Sequence, residues 1–303
     1  MPRRGWLVRH RWLLLRRLAQ LGLLAAFLAG PWFGVWILSG DLASSVLFDT
    51  LPLTDPLVLL QALVAGHGAQ WAALSGGALV LLAYTVLGGR SYCAWVCPLS
   101  LVTDLAAGLR RWIGLGRGWQ IRRQTRRLVL AAVLVASAAS GTLVWEWINP
   151  ITMLQRGILF GMGAGWALIL AVFVFDLAVS AHGWCGHLCP VGAFYGLVGR
   201  VARVRVNAAA RTHCTDCGDC FRICPEPQVI APALKPASPD ASPVILDGDC
   251  LNCGRCLDVC EEDVFTFGTR HATVPLRGPG NDHHARDTLR SPVLDQGPPD
   301  HDR

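Results

Sequence analysis

Apolar residues are spread unevenly along the chain: they gather in four long runs before Ser180 and thin out beyond it, where Cys, Asp and Pro take over. A helix needs about 20 predominantly apolar residues to cross the hydrocarbon core of a bilayer. The runs Leu18 to Leu38, Ala69 to Leu87, Leu128 to Trp147 and Ile158 to Val179 meet that requirement. They predict a membrane all-α domain of four transmembrane helices. Gly30-Pro31 lies inside the first run and predicts a kink, which membrane helices tolerate when neighbours take up the freed backbone groups. That run is too long for a cleaved signal peptide and no small-residue cleavage site follows it, so it reads as an anchor. In the first inter-span link, Leu51 to Val64 is apolar but broken by Thr54-Asp55-Pro56. It is too short to span and is expected to lie along the membrane surface.

Composition points the same way. Of 303 residues only 16% are charged, and the mean hydropathy is +0.40, an unusual pairing for a soluble chain of this size. The arginines then set the orientation. Arg3, Arg4, Arg9, Arg11, Arg16 and Arg17 precede the first span, and the link between spans two and three carries Arg90, Arg110, Arg111, Arg117, Arg122, Arg123, Arg126 and Arg127. Both are cytoplasmic signatures. The link between spans one and two has Asp41, Asp49 and Asp55 but no Lys or Arg, and the short link after span three offers only Arg156 beside Glu146. With Arg200, Arg203, Arg205 and Arg211 following span four, the pattern predicts a multi-pass protein of the bacterial inner membrane with both termini in the cytoplasm. Because these charges hug the ends of apolar runs, they argue against a nucleic-acid partner.

The expected organisation is a basic N-terminus (1–17), a four-helix membrane domain (18–204), a small α+β domain (205–267) and a disordered tail (268–303). Within the small domain, the Pro/Ala-rich stretch Glu226 to Pro243 reads as a loop insertion. His283 and His284 sit in the tail and read as solvated.

All 12 cysteines fall in closely spaced groups, unlike the dispersed cysteines of a disulfide framework. The sharpest pattern is Cys214-x2-Cys217-x2-Cys220-x3-Cys224-Pro225 followed by Cys250-x2-Cys253-x2-Cys256-x3-Cys260. Zinc sites use paired C-x2-C units, whereas two complete runs of this spacing are the bacterial 2x[4Fe-4S] ferredoxin pattern, in which the fourth cysteine of each run ligates the other cluster. One cluster is therefore expected on Cys214, Cys217, Cys220 and Cys260, and the second on Cys250, Cys253, Cys256 and Cys224. The second run ends in Cys260-Glu261 where proline is usual, which alters the turn but not the ligand count.

Two further pairs stand at the inner edges of spans two and four: Tyr92-Cys93-Ala-Trp-Val-Cys97-Pro98 and Trp184-Cys185-Gly-His-Leu-Cys189-Pro190. Three intervening residues place two thiols about one helical turn apart. Free cysteines at helix ends are often buried fillers, but two near-identical units favour chemistry: a redox dithiol pair, a bound metal or an additional iron-sulfur centre. His187, inside the second unit, is a loop histidine, a proton carrier or a ligand. No quinone-binding motif stands out. Asp176, Glu146 and Arg156 are the ionisable groups near the bilayer that could serve a proton-coupled site, and Trp145 and Trp147 place Glu146 at an interface.

Together with Gly40-Asp41-Leu42-Ala43-Ser44-Ser45, Pro52-Leu53-Thr54-Asp55-Pro56, Asn149-Pro150 and Arg156-Gly157, these motifs resemble the NapH family. Its members are ferredoxin-type quinol dehydrogenase membrane subunits of periplasmic nitrate reductase systems. The resemblance covers nearly the whole chain to Phe267. It implies a quinol dehydrogenase subunit acting within a complex, which oxidises quinol and passes electrons toward the reductase through a NapG-like polyferredoxin and a membrane-anchored cytochrome c. MauN, NosR and CcoG membrane ferredoxins share the C-x3-C-P pairs, leaving open a redox sensor or a metal-handling or assembly factor. The chain has neither the large flavin domain of NosR nor the C-terminal extension of CcoG, so its length favours NapH or MauN.

Overall fold

In the computed structural model, residues 5–271 are described, except 69, 117, 120, 162, 164, 237, 239 and 240. The first long helix, α1 (Arg11–Phe33), starts well before Leu18 and is closed by Gly34 at φ 71°. Its N-terminal amides are capped from the other end of the sequence: Asp258 accepts from the backbone N–H groups of Trp12 at 3.2 Å and Leu13 at 3.0 Å.

The next segment corrects the all-α expectation. β1 (Leu38–Gly40), β2 (Ser44–Leu47) and β3 (Leu51–Thr54) form a three-stranded antiparallel sheet in that order. The Asp41 side chain accepts from the backbone N–H groups of Ala43 and Ser44, both at 3.0 Å, and so folds the first turn. Strands of three or four residues are too short to register in a count of apolar runs. Asp55 then caps α2 (Pro56–Val64), accepting from Leu57 N–H at 2.8 Å, with proline in the first turn where no N–H is needed. Leu57 and Gln61 of this helix are fully buried while Leu63 and Val64 are exposed, so one face packs into the protein and the other faces outward.

α3 (Trp71–Leu87) leads into the short helix α4 (Ser91–Trp95) and then α5 (Leu99–Trp112). α6 (Gln124–Ser140) ends at Gly141, earlier than the apolar run suggested. The fourth run is broken as well. α7 (Pro150–Phe160) stops at Gly161, whose φ of 82° cannot continue a helix, and α8 (Gly165–Ala178) resumes beyond it. Among the described residues one helix, α1, is long and apolar enough to cross a membrane, while α3 and α8 are apolar but shorter.

After α9 (Pro190–Gly199) the chain enters the cysteine-rich half. β4 (Val204–Asn207) pairs antiparallel with β5 (Thr266–Thr269), and α10 (Asp219–Ile223) and α11 (Arg255–Val259) follow the two cysteine loops. The stretch expected as a loop insertion packs instead: Val229, Ile230, Ala233 and Leu234 join Val206, Ile245, Leu257 and Phe265 in the core. His283 and His284 lie outside the described residues.

Candidate metal centre

Each ferredoxin-type loop has to wrap its thiols around one point, so its backbone must turn sharply twice. Asp216 (φ 57°) and Asn252 (φ 48°) hold equivalent left-handed positions after the first cysteine of each run, and Gly218 (φ 76°) and Gly254 (φ 73°) hold them just before α10 and α11. Successive residues of opposite hand aim amide groups inward and make a concave anion-binding nest. The two runs therefore repeat one fold.

Two groups of thiols are expected from the sequence, Cys214, Cys217, Cys220 and Cys260 as the first and Cys250, Cys253, Cys256 and Cys224 as the second, and the two adjoin, since Cys256 also feels Cys220. Burial pushes the Cys220 thiol up to about 11, and its thiol neighbours Cys214, Cys260 and Cys217 add to the shift. Burial raises the Cys224 thiol in the same way, and there the reinforcing neighbours are Cys253 and Cys250. Four thiols so placed cannot ionise together without a cation among them, which is the chemistry of a metal-thiolate site. The first group is the outer one: Cys217 is exposed, whereas Cys253 and Cys256 are buried.

The second group faces the membrane-edge units. Trp95, inside Cys93-x3-Cys97, donates its indole N–H to the carbonyl of Asn252 at 3.0 Å. The Asn252 amide donates in turn to the carbonyls of Leu87 at 3.3 Å and Val204 at 2.9 Å. Arginines that orientation arguments treat as flanking charges are built into this junction. Arg90 and Arg126 are each 1% exposed and Glu226, two residues after Cys224, is 2% exposed. Glu226 accepts from Arg90 at 2.8 Å and from Arg126 at 2.9 Å. Arg90 also donates to the carbonyl of Asp249 at 2.9 Å, and Arg126 pairs with the Asp249 carboxylate beside Cys250. Burial alone would raise the Glu226 carboxyl, but Arg90 and Arg126 hold it down to about 2.

A second buried network lies alongside. Asp104 of α5 accepts from Arg17 at 2.6 Å and pairs with Arg255, which stands between Cys253 and Cys256. Arg16 and His182 approach the same carboxylate at 3.8 and 3.9 Å. Sequence reasoning missed Glu226, Asp249, Asp104, Arg255 and Asn252. The available signal was position: each acid or amide but Asp104 lies within two residues of a cysteine in the ferredoxin runs.

The remaining sequence candidates separate. Asp176 accepts from Trp184 N–H at 2.9 Å and so fixes the turn that carries Cys185. Glu146 accepts from Asn149 at 2.8 Å and from Thr152 at 3.3 Å, while Arg156 pairs with Asp41. The three do not form one site. His187 lines a cavity of about 810 Å³ together with His182, Arg111, Arg123, Cys224 and Gln228. Its Nδ1 is buried without a hydrogen-bond partner.

A family model described as a 4Fe-4S binding domain matches residues 70–116 and 158–208, and one described as a 4Fe-4S dicluster domain matches residues 213–264. The ferredoxin-type protein NapH of Escherichia coli (strain K12) is 51% identical over 271 residues, 89% of this chain and 93% of its own length. The methylamine utilization ferredoxin-type protein MauN of Paracoccus denitrificans (strain Pd 1222) is 52% identical over 268 residues, 88% of this chain and 94% of its own. No solved structure matches. A mostly helical chain that carries both 4Fe-4S domains and shares half its residues with these relatives along nearly nine-tenths of its length is an iron-sulfur electron-transfer protein, and it belongs to the ferredoxin-type family of NapH and MauN.

Proposed function

We propose that the chain is a multi-pass subunit of the bacterial inner membrane that takes electrons from quinol and passes them through two [4Fe-4S] clusters to a redox partner. One cluster belongs to Cys214, Cys217, Cys220 and Cys260, the other to Cys250, Cys253, Cys256 and Cys224. A bound [4Fe-4S] cube supplies a one-electron carrier. The observation that carries the reading is the Trp95 to Asn252 hydrogen bond of 3.0 Å, which seats the membrane-edge cysteine unit directly against the inner cysteine loop. Four crossings are supported by the outward faces of the helices. Leu18 of α1, Leu82 of α3, Leu128 and Val135 of α6 and Leu170 of α8 are all more than three-fifths exposed, a belt that lipid would cover.

In this reading the polypeptide contributes position and field. The inward amides of both loops and the guanidiniums of Arg90, Arg126 and Arg255 offset the negative charge of thiolates beside them. The Glu226 and Asp104 networks hold the two halves at a fixed separation, because breaking either strands charges away from water. Exposed Cys217 offers a contact for a redox partner, and the terminal carriers of this reading are a NapG-like polyferredoxin and a membrane-anchored cytochrome c that serve periplasmic nitrate reductase. A second terminal pathway has equal support. The relatives named for methylamine utilization are as similar as those named NapH, at 51% and 52% identity, so electron transfer in amine metabolism is the alternative.

The test is anaerobic electron paramagnetic resonance on the detergent-extracted protein, comparing dithionite with a reduced quinol analogue. A coupled signal under both reductants is expected. Clusters that respond to dithionite and stay silent to quinol, with the polyferredoxin present, would point instead to a sensor or metal-handling role.

A further inference from the structure

Helix α5 is opened by Cys97-Pro98, and the hydroxyl of its Thr103 lies 3.9 Å from the sulfur of Cys185, so the two C-x3-C-P units adjoin there. The chain leaving α5 is then fastened to the end of α8. Arg110 donates to the carbonyls of Gly116 and Leu177, both at 2.5 Å, and Trp119 N–H donates to the carbonyl of Val179 at 3.0 Å. Around that fastening the apolar side chains face outward. Trp112 is 85% exposed and Trp119 76%, and Ile113 and Leu115 are exposed between them. Large aromatic side chains held by backbone bonds at the end of an apolar helix, yet uncovered by protein, mark the level of lipid headgroups.

We propose that the cavity of about 810 Å³ beside this loop holds the phosphate headgroup of an anionic phospholipid. Its volume falls among those of small-ligand sites, about 300–1,000 Å³. Among the described residues that line it, four guanidiniums, those of Arg110, Arg111, Arg123 and Arg222, stand against one carboxylate, Glu226. That carboxylate is already committed to Arg90 and Arg126. Several nitrogens at the wall lack an acceptor. Arg123 Nε and Nη2 and His187 Nδ1 are buried without a hydrogen-bond partner, and the carboxylates nearest Arg123 stand 3.6 to 3.8 Å away. A buried donor left without an acceptor is costly. A phosphate supplies several acceptor oxygens at once, in a geometry that the planar guanidinium fork matches.

The neighbouring loop chooses between the sources of such a phosphate. A free anion has no use for exposed Trp112, Ile113 and Trp119, whereas the acyl chains of a lipid would lie against them while its headgroup enters the cavity. Leu115, exposed on the loop, also lines the cavity and so joins the apolar rim to the basic wall. Cys224 lines the same cavity. A headgroup there places negative charge beside the Cys250 group, and net charge is one of the terms that set the potential of a cluster. The site does not depend on quinol being the donor.

The deciding measurement is native mass spectrometry of the full chain, released from detergent after incubation with dioleoylphosphatidylglycerol or dioleoylphosphatidylcholine. One tightly held phosphatidylglycerol per chain is expected, bound about tenfold more strongly than the zwitterionic lipid. The Arg111→Gln/Arg222→Gln double variant should lose that preference, and Arg111→Lys/Arg222→Lys should keep most of it. Both side chains reach solvent, so the thermal midpoint should hold in either variant. Equal affinity for the two lipids, or a preference that survives in the glutamine variant, would overturn the proposal. Inorganic phosphate added to the same samples separates the sources. A phosphate adduct that the glutamine variant loses, with no preference between the lipids, would make the cavity a free-anion site and overturn the lipid assignment. No quinol enters these samples, so the quinol reading stands or falls apart from them.

Discussion

Glu226 accepts from two guanidiniums inside the protein, and a carboxylate so shared is hard to remove singly. Its loss would leave Arg90 and Arg126 buried with only Asp249 between them. Breaking a buried pair by deleting one partner costs about 3–5 kcal/mol, because the remaining charge has lost its water as well. Glu226→Ala should therefore lower the thermal midpoint sharply. Glu226→Ala/Arg126→Met should recover part of that loss, since the second change removes a stranded cation. Unfolding curves of the three proteins in one detergent would check this, and additive losses would mean the groups act independently. His182 offers a pH counterpart. Burial, and then Arg255, lower its pKa from 6.5 to about 4. The unfolded chain thus binds a proton between those values that the folded chain refuses, so stability falls as pH drops from about 6.5 toward 4. His182→Gln should flatten that part of the stability profile by roughly 3 kcal/mol at its acid end. An unchanged slope would place the acid sensitivity elsewhere.

At the scale of elements, the turn between α3 and α4 decides whether the two cysteine units can meet. Gly89 sits at φ 40°, and a Cβ added there would come within 2.4 Å of the Gly199 backbone and the carbonyl of Tyr195. Those atoms belong to α9, the helix that Cys189-Pro190 opens, and backbone cannot swing aside as a side chain does. Gly89→Ala is expected to cost about 1–3 kcal/mol and to loosen the contact between the two cysteine units before it affects the ferredoxin loops. Thermal midpoint measured together with the iron held by the ferredoxin loops would separate that outcome from general unfolding. Elements such as this turn also explain what could be read from the sequence. The eight ferredoxin-type cysteines were legible because wrapping a small cluster forces a fixed spacing, which local sequence records directly. Arg16, Arg90 and Arg126 were legible only as positive charge near apolar runs. Loop counts sum arginines without asking whether each meets water or a carboxylate from another part of the chain. Their partners Glu226 and Asp104 are distant in sequence, and no local pattern reports such pairing. The sheet β1–β3 and the break at Gly161 escaped for a different reason: average hydropathy is blind to three-residue strands and to one glycine in an apolar run.

The whole molecule poses a question of sidedness that its elements do not answer one at a time. α1 meets the length and composition needed to cross a bilayer, while α3 and α8 are shorter and the fourth run is split between α7 and α8. Short helices can still cross if the remaining depth is filled by backbone buried in protein, since only lipid-exposed irregular backbone is forbidden. The helices Pro56–Val64 and Pro150–Phe160 could supply such depth, since Leu57, Gln61, Leu154 and Gln155 on their inner faces are all buried. Four crossings put Trp112 and Arg270 on one side with the N-terminus, and Val64 and Ile148 on the other. Green fluorescent protein fused after Trp112 or Arg270 should therefore fluoresce in the cytoplasm. Alkaline phosphatase fused after Val64 or Ile148 should be active, because it folds only after export. The reverse result at Val64 and Ile148 would leave α1 as the single anchor and put the whole iron-sulfur assembly on one face of the membrane. In that case quinol would have to reach the Cys93 unit from the bilayer surface, and the exposed apolar faces of α3, α6 and α8 would need a protein partner in place of lipid.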